Sequence, residues 1–267
     1  MTRPSRDKIA DWLRAKLPAK TAYSITRWKN VLMQMGFFAY SRAFPAHAKN
    51  ALVGGAAKLA GDTAADPHLT PTYNPWDQRV CLVPDGDLFA ALRDGTAEIV
   101  TDHIETFTEH GLRLKSGREL AADVVVTATG LKLQMLGGAT IVVDDKPVRV
   151  ADTMVYKGCM YSGVPNFAFA VGYTNASWTL KVDLTSTFVC RLLSYLDAHH
   201  FHEVRARLDP NVSRLPILDF NSGYITRALA ELPSQGDRLP WKLYQNYALD
   251  RAMLGAGKIA DRTLEFR

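Results

Sequence analysis

Apolar positions recur every three or four residues through the first sixty residues, and from about residue 96 they begin to alternate. Ile9, Trp12, Leu13 and Leu17 share one face of a predicted helix that Ser5 caps, Asp7 favours in its first turn and Pro18 closes. Trp28, Val31, Leu32, Met35 and Phe38 make the stripe of a second helix starting after Thr21, and the alanine-rich stretch 45–59 predicts a third. Residues 62–75 carry Pro67, Pro71 and Pro75 with few apolar side chains, which marks the internal boundary of the chain. Residues 97–101, 104–108 and 112–114 then read as a small antiparallel meander, with turns at Asp102-His103 and around Gly111. Residues 140–143 and 148–150 read as a hairpin around the loop 144–147 (Asp-Asp-Lys-Pro).

Two runs break the alternation. Val124, Val125 and Val126 are β-branched without interruption, the pattern of a parallel strand buried on both faces. The run ends in Thr127, Ala128, Thr129 and Gly130, where side chains shrink until backbone alone remains. This is either a core strand with a glycine turn or the carboxyl end of a strand that approaches a bulky ligand. Residues 166–172 repeat the design and end at Gly172. Thr174, Asn175 and Ser177 then offer caps for a long helix whose ladder is Leu180, Leu184, Phe188 and Leu192, widened by Val189, Leu193 and Leu196. A strand, a glycine and a capped helix aim backbone N–H groups at whatever lies beyond the strand end. The tail reads as a short helix over 221–232, a turn over 233–236, and the aromatic residues Trp241, Tyr244 and Tyr247.

The Ala128-Thr129-Gly130 segment resembles that of two-dinucleotide-domain flavoproteins, in particular the class B flavin monooxygenases and, within them, the ethionamide-monooxygenase branch of the Baeyer–Villiger enzymes. The likeness extends over residues 73–79 (Tyr-Asn-Pro-Trp-Asp-Gln-Arg), 81–89 (Cys-Leu-Val-Pro-Asp-Gly-Asp-Leu-Phe) and 130–134 (Gly-Leu-Lys-Leu-Gln). It resumes at 156–160 (Tyr-Lys-Gly-Cys-Met), 171–181 (Val-Gly-Tyr-Thr-Asn-Ala-Ser-Trp-Thr-Leu-Lys) and 240–246 (Pro-Trp-Lys-Leu-Tyr-Gln-Asn). It implies an α/β chain: part of the FAD/NAD(P)-binding two-dinucleotide-domain fold, with an antiparallel β meander and an N-terminal helical segment. Residues 1–70 would be a helical segment on the NADP-domain side, and 71–267 the C-terminal half of the FAD-binding domain.

The resemblance also implies roles. Arg79 matches an arginine that contacts flavin and nicotinamide in the family. A flavin that has reacted with oxygen carries a negatively charged peroxide, and a guanidinium stabilises it without a proton to lose. The competing account is an ion pair with Asp77 or Asp85. The residue before this arginine is often lysine in related enzymes and helps select the phosphorylated cofactor; here it is Gln78. Ala128, Thr129, Gly130, Gly172, Thr174, Asn175 and Trp178 are the expected cofactor-binding residues, Trp178 as a wall of the cofactor or substrate site or as core packing. Many related flavoproteins have Gly-Asp where this chain has Gly172-Tyr173, so the carboxylate that holds the ribityl chain must come from elsewhere. Arg27 and Lys29 flank the second helix's stripe, as solvated charges or as contacts to a nicotinamide cofactor's phosphate.

Composition narrows the alternatives. With 267 residues, 47% of them hydrophobic, the chain can bury a real core. Its formal charge of +5 is spread among acids, which argues against nucleic acid and suits an anionic small molecule. Cys81, Cys159 and Cys190 lie far apart with no CxxC, against a disulfide reductase or a zinc site, and fit a reducing compartment. His199, His200 and His202 suit a helix C-terminus better than a metal site, and no metal is expected. No apolar run has the length of a membrane span and no signal peptide is evident, so the expected location is the cytoplasm.

Neither of the GxGxxG fingerprints that would carry FAD and the nicotinamide cofactor in a complete enzyme of this class is present. The expectation is therefore the C-terminal fragment of an FAD- and NADPH-dependent monooxygenase. Such an enzyme inserts one oxygen atom into ketones, sulfides or thioamides. Its partners would be a small organic substrate and the missing N-terminal half. The alternative is a non-catalytic remnant that binds a partner.

Overall fold

The computed structural model describes residues 1–61, 68–218 and 222–267. The chain forms two units, Met1–Asn30 with Gly36–Leu131, and Val31–Met35 with Lys132–Arg267.

In the first unit, β1 (Thr2–Arg3) is followed by α1 (Lys8–Lys16), α2 (Ala19–Ala43) and α3 (Pro45–Ala60). The middle of α2, Val31–Met35, belongs to the second unit. Then come β2 (Val83–Pro84), parallel to β1, and α4 (Asp87–Arg93). The cap of α1 is Asp7 and not Ser5: the Asp7 Oδ1 accepts the Ile9 and Ala10 N–H groups, both at 3.1 Å. An aspartate at this position also answers the positive end of the helix, which a serine hydroxyl does less well. Ser5 instead donates its own N–H to Asp85. The inward face of α1 is narrower than its apolar pattern, with Ala10 and Leu13 buried while Ile9 and Trp12 stand 57% and 61% exposed.

The meander is present one strand further along than its pattern predicts. Strands β3 (Ile104–Thr108), β4 (Gly111–Leu114) and β5 (Glu119–Ala121) form an antiparallel sheet in the order 3-4-5, and 97–101 stays outside it. A Cβ on Gly111 would stand 2.0 Å from the Leu120 carbonyl oxygen, so only glycine permits this pairing. Beyond β5, pairing stops. Val124, Val125 and Val126, expected in the interior, are 78%, 40% and 84% exposed and belong to no strand. A strand exists only through its neighbours, and no described segment lies alongside this one.

In the second unit, β6 (Ile141–Val143) and β7 (Lys146–Val148) make a hairpin two residues tighter than expected: Lys146 and Pro147 pair with the first strand, and the turn is Asp144-Asp145, both at positive φ. A second tight hairpin, β8 (Val155–Tyr156) with β9 (Met160–Tyr161), lies wholly in the interior. The long helix α5 (Trp178–His199) buries its expected ladder, Leu180, Leu184, Phe188 and Leu192, against Tyr156, Trp241 and Leu254. It ends at His199, with His200 in the left-handed region, so His202 lies beyond it. Residues 167–172 pair in no ladder, Asn166 stands in the left-handed region (φ 51°), and 166–171 alternate between exposed and half-buried, not buried on both faces as expected. Further elements are β10 (Val204–Ala206), β11 (Arg214–Pro216), α6 (Gly223–Ala228), β12 (Ser234–Gly236), α7 (Tyr247–Asp250) and β13 (Leu264–Phe266). The helix expected over 221–232 is the shorter α6; Asn221 lies outside the described residues, as does 62–67 of the predicted boundary loop. The expected turn 233–236 is strand β12, antiparallel to β11, and β13 returns to pair with β10.

Candidate functional site

The turn from Gly172 to Trp178 gathers four of the residues that the sequence nominates. A Cβ on Gly172 would meet Trp178 Cγ at 2.1 Å and Trp178 Cα at 2.5 Å, so the chain passes the start of α5 only as glycine. Trp178 keeps 51% of its surface open, so it is not a core residue. Thr174 donates its N–H (3.1 Å) and hydroxyl (3.3 Å) to Gln245 Oε1, and Asn175 Nδ2 donates to the Gln245 carbonyl at 2.9 Å. The Ser177 N–H goes to Gln34 Oε1 at 3.0 Å. Two glutamines distant in sequence therefore clamp the turn. Ser177 is the helix N-cap residue, but its hydroxyl bonds Thr179 and caps no backbone donor. Gly172→Ala is expected to destabilise the protein by about 1–3 kcal/mol through overpacking, read as a lowered thermal midpoint.

Behind the turn lies a buried polar group that the sequence reading missed. Asp250 Oδ2 accepts the Tyr173 hydroxyl at 2.6 Å and pairs with Lys181 Nζ at 3.0 Å. The Lys181 and Asp250 side chains are 8% and 4% exposed. Burial, then the bond to Asp250, pushes the Tyr173 hydroxyl well above its ordinary range, so it stays protonated and donates. A second set repeats the pattern: Asp261 Oδ2 accepts Tyr156 O–H at 2.6 Å and pairs with Lys157 at 3.1 Å. Burial alone would raise the Asp261 carboxyl, but the Tyr156 hydroxyl and the Lys157 ammonium outweigh it and hold the carboxyl low. Burial pushes the Cys159 thiol up to about 12 despite the nearby charges of Lys181 and Lys157, which leaves it unreactive. One signal was available: Lys181 stands beside Leu180 on the apolar stripe of α5, and a charge there must find a partner. Its partner, Asp250, lies 69 positions further along the chain, since the pair joins residues 181 and 250. Asp250→Ala is expected to cost about 3–5 kcal/mol because it strands a buried ammonium, whereas Lys181→Met combined with Asp250→Leu recovers most of the loss. Thermal unfolding of the three proteins distinguishes these outcomes.

Tyr173, Lys181 and Asp250 line a cavity of about 40 Å³ next to Gly172, closed on its apolar side by residues including Val155, Phe169 and Leu243. Sites that enclose a cofactor run to roughly 300–1,000 Å³. The residues present thus offer one flank to a planar group, at the open Trp178 ring, and do not enclose one.

The other nominated residues belong to the first unit. Arg79 is exposed and, among the described residues, makes no ion pair: Asp77 is taken by Arg42 at 3.0 Å, and Asp85 by the Ser5 N–H at 2.8 Å. The ion-pair account of Arg79 thereby loses both of its named partners. Close by in sequence, Trp76 sits in the left-handed region (φ 70°), edge-on to Phe38 with centroids 5.3 Å apart. Ala128, Thr129 and Gly130 are exposed at the end of the unpaired valine run, with Gly130 at φ 123°. Among the described residues no group of histidine, cysteine and carboxylate side chains is arranged to hold a metal, and no helix is long and apolar enough to cross a membrane.

The fold matches that of a steroid monooxygenase solved in its oxidised state bound to NADP, with a TM-score of 0.53 at 16% identity over 99% of this chain and 53% of that one. It is therefore part of a Baeyer–Villiger type flavin-monooxygenase fold. No protein-family model matches the chain. It is 49% identical to FAD-containing monooxygenase EthA of Mycobacterium tuberculosis over 268 residues, 100% of this chain and 55% of that protein. It is 45% identical to the "Probable FAD-binding monooxygenase AlmA" of Acinetobacter sp over 99% of this chain and 54% of that protein. The chain belongs to the FAD-containing monooxygenases of the EthA branch and corresponds to their C-terminal part, spanning about half the length of the curated relatives it matches.

Proposed function

We propose that the chain serves as the C-terminal part of an FAD- and NADPH-dependent monooxygenase that inserts one oxygen atom into a small organic substrate, a ketone, sulfide or thioamide. Residues 1–70 then belong to the NADP-domain side and 71–267 to the FAD-binding domain. The observation that carries this reading is the segment from Val124 to Gly130. It is composed as an interior strand, yet Val124 and Val126 are 78% and 84% exposed with no strand beside them. A β-branched run of this kind is explained when another part of the enzyme supplies its neighbours.

FAD, when bound and reduced by NADPH, supplies the oxygen-activating chemistry. This chain supplies what surrounds it. The small side chains of Ala128 and Thr129, and Gly130 with none, admit close backbone approach. Gly172, Thr174, Asn175 and Trp178 form the flank, pre-set by Gln245 and Gln34. Arg79 holds a permanent positive charge where negative charge develops, and its exposure without an ion-pair partner among the described residues leaves that charge available. Gln78 in place of the usual lysine means that selection of the 2′-phosphate falls to other residues. The small cavity favours a second statement: the chain alone is a non-catalytic, partner-binding piece.

Co-expression with the N-terminal part of an EthA relative tests the reading. A yellow one-to-one complex that oxygenates a thioether at the expense of NADPH is expected. Separate, colourless polypeptides would overturn it.

A further inference from the structure

The formal charge of +5 is spread among acids only beyond residue 60. Residues 1–60 hold eleven lysines and arginines against Asp7 and Asp11 alone, a net charge of +9, while residues 61–267 are net −4. Arg6 and Arg14 pair with Asp11, Lys29 with Asp7 and Arg42 with Asp77. Lys8, Lys16 and Lys20 are exposed and make no ion pair among the described residues. The surplus therefore lies on the surface of the helical segment, and the fold does not answer it.

The outward face of α1 sets apolar side chains among these lysines. Lys8, Ile9, Trp12 and Lys16 recur at steps of three and four, and all are exposed, Ile9 and Trp12 by more than half. The other face of the helix is already used, since Ala10 and Leu13 are buried, as is Ala22 on α2. Lys29 of α2 pairs with Asp7, and Arg3 Nη2 donates to Asn30 Oδ1 at 3.1 Å, which ties the start of α1 to α2 and leaves the Trp12 face open. Along α2, Ile25 and Trp28 stand three positions apart and are both exposed. Folding gives no reason for an isoleucine and an indole in water between lysines.

Chemistry selects the partner. A nucleic acid would answer the lysines and leave Ile9 and Trp12 in water, and an apolar protein groove would cover the rings and leave the charge unmatched. An anionic bilayer answers both. Its phosphates meet the ammonium groups, lysine stems lie along the apolar boundary, and tryptophan settles at the level of the headgroups. No described helix is long and apolar enough to cross a bilayer, so the segment lies on the surface and does not span.

We propose that the outward face of α1, with Ile25 and Trp28 of α2, is a docking surface for an anionic lipid bilayer and holds the protein there peripherally. The surface uses none of the residues assigned to the flavin, so it stands or falls apart from that reading.

Vesicle flotation tests it on the full chain, because vesicle-bound protein rises in a density gradient while self-associated protein sinks. The chain is expected to float with vesicles of phosphatidylglycerol and phosphatidylcholine and to stay behind with phosphatidylcholine alone. Flotation should fall steeply toward about 1 M salt, where the Debye length is ~3 Å. A lysine near such a surface is worth about fivefold in binding, so Lys8→Gln with Lys16→Gln should weaken flotation about tenfold or more. Ile9→Ser with Trp12→Ser should weaken it to a similar extent; these positions are exposed, so the circular dichroism of both variants should match the wild type. Lys115→Gln with Lys146→Gln removes the same charge at exposed sites outside the helical segment and should float like the wild type. No flotation with the anionic vesicles, equal flotation with both kinds, or an equal loss in the Lys115 and Lys146 control overturns the surface. The co-expressed complex decides between lipid and protein: continued flotation supports the bilayer, whereas a complex that forms and no longer floats gives this face to the N-terminal part and overturns the proposal.

Discussion

A polypeptide of these 267 residues, incubated with FAD and passed over a sizing column, is expected to elute colourless and self-associated and to leave NADPH unoxidised. The cause is the valine run. Val124, Val126 and Leu131 are 78%, 84% and 63% exposed, and burying one such side chain fully is worth about 1.5–3 kcal/mol. Three of them on one unpaired segment offer several kcal/mol to whatever covers them. The free backbone N–H and C=O groups of the same segment direct that cover toward strand addition. A second copy is the partner always at hand. Colour fails for a separate reason, because a cavity of about 40 Å³ and one open flank hold too little of a flavin for stable retention. Visible absorption and elution volume decide the matter together. A yellow monomer with stoichiometric FAD would mean that the chain is a complete flavoprotein.

Changing Arg79 to Ala in the reconstituted complex is expected to spare FAD binding and abolish oxygen insertion. NADPH consumption continues, and hydrogen peroxide takes the place of the oxygenated product. The side chain stands in solvent with no ion-pair partner among the described residues, so its removal costs little stability. Loss of one pre-placed donor or charge opposite a developing anion typically slows the step it serves by about 10²–10³-fold. Arg79→Lys should recover only part of the product, because an ammonium keeps the charge and loses the planar fork. The ratio of product to NADPH consumed is the measurement. A normal ratio in Arg79→Ala would sink the assignment.

Much of the fold was legible because it is local. The α5 ladder is a spacing of three and four, the Ile141–Val143 hairpin is a turn chemistry, and the meander is an alternation; each is set by residues within one element's length. The errors were also local in kind. Asp7 outcompetes Ser5 as a cap, and Ser234–Gly236 became a strand because Arg214–Pro216 came to pair with it. In the candidate site, Gly172 and Trp178 could be named from the strand–glycine–helix order. Gln245, Gln34 and Asp250 could not, since they reach the turn from 71, 143 and 77 positions away.

The sequence by itself determined the branch of flavoproteins to which the chain belongs, the helix that ends the glycine turn, and the apolar character of the two strand-like runs. These follow from residue identity and short-range periodicity, which every copy of the chain carries whether or not it is folded. Tertiary structure alone decided that Val124 to Val126 stand open, that the Thr174 and Ser177 amides are held by glutamines, and that a lysine on the core stripe of α5 meets Asp250. Whether a strand is buried, a donor is free or a charge is neutralised depends on which distant segment arrives beside it, and local pattern does not encode that arrival.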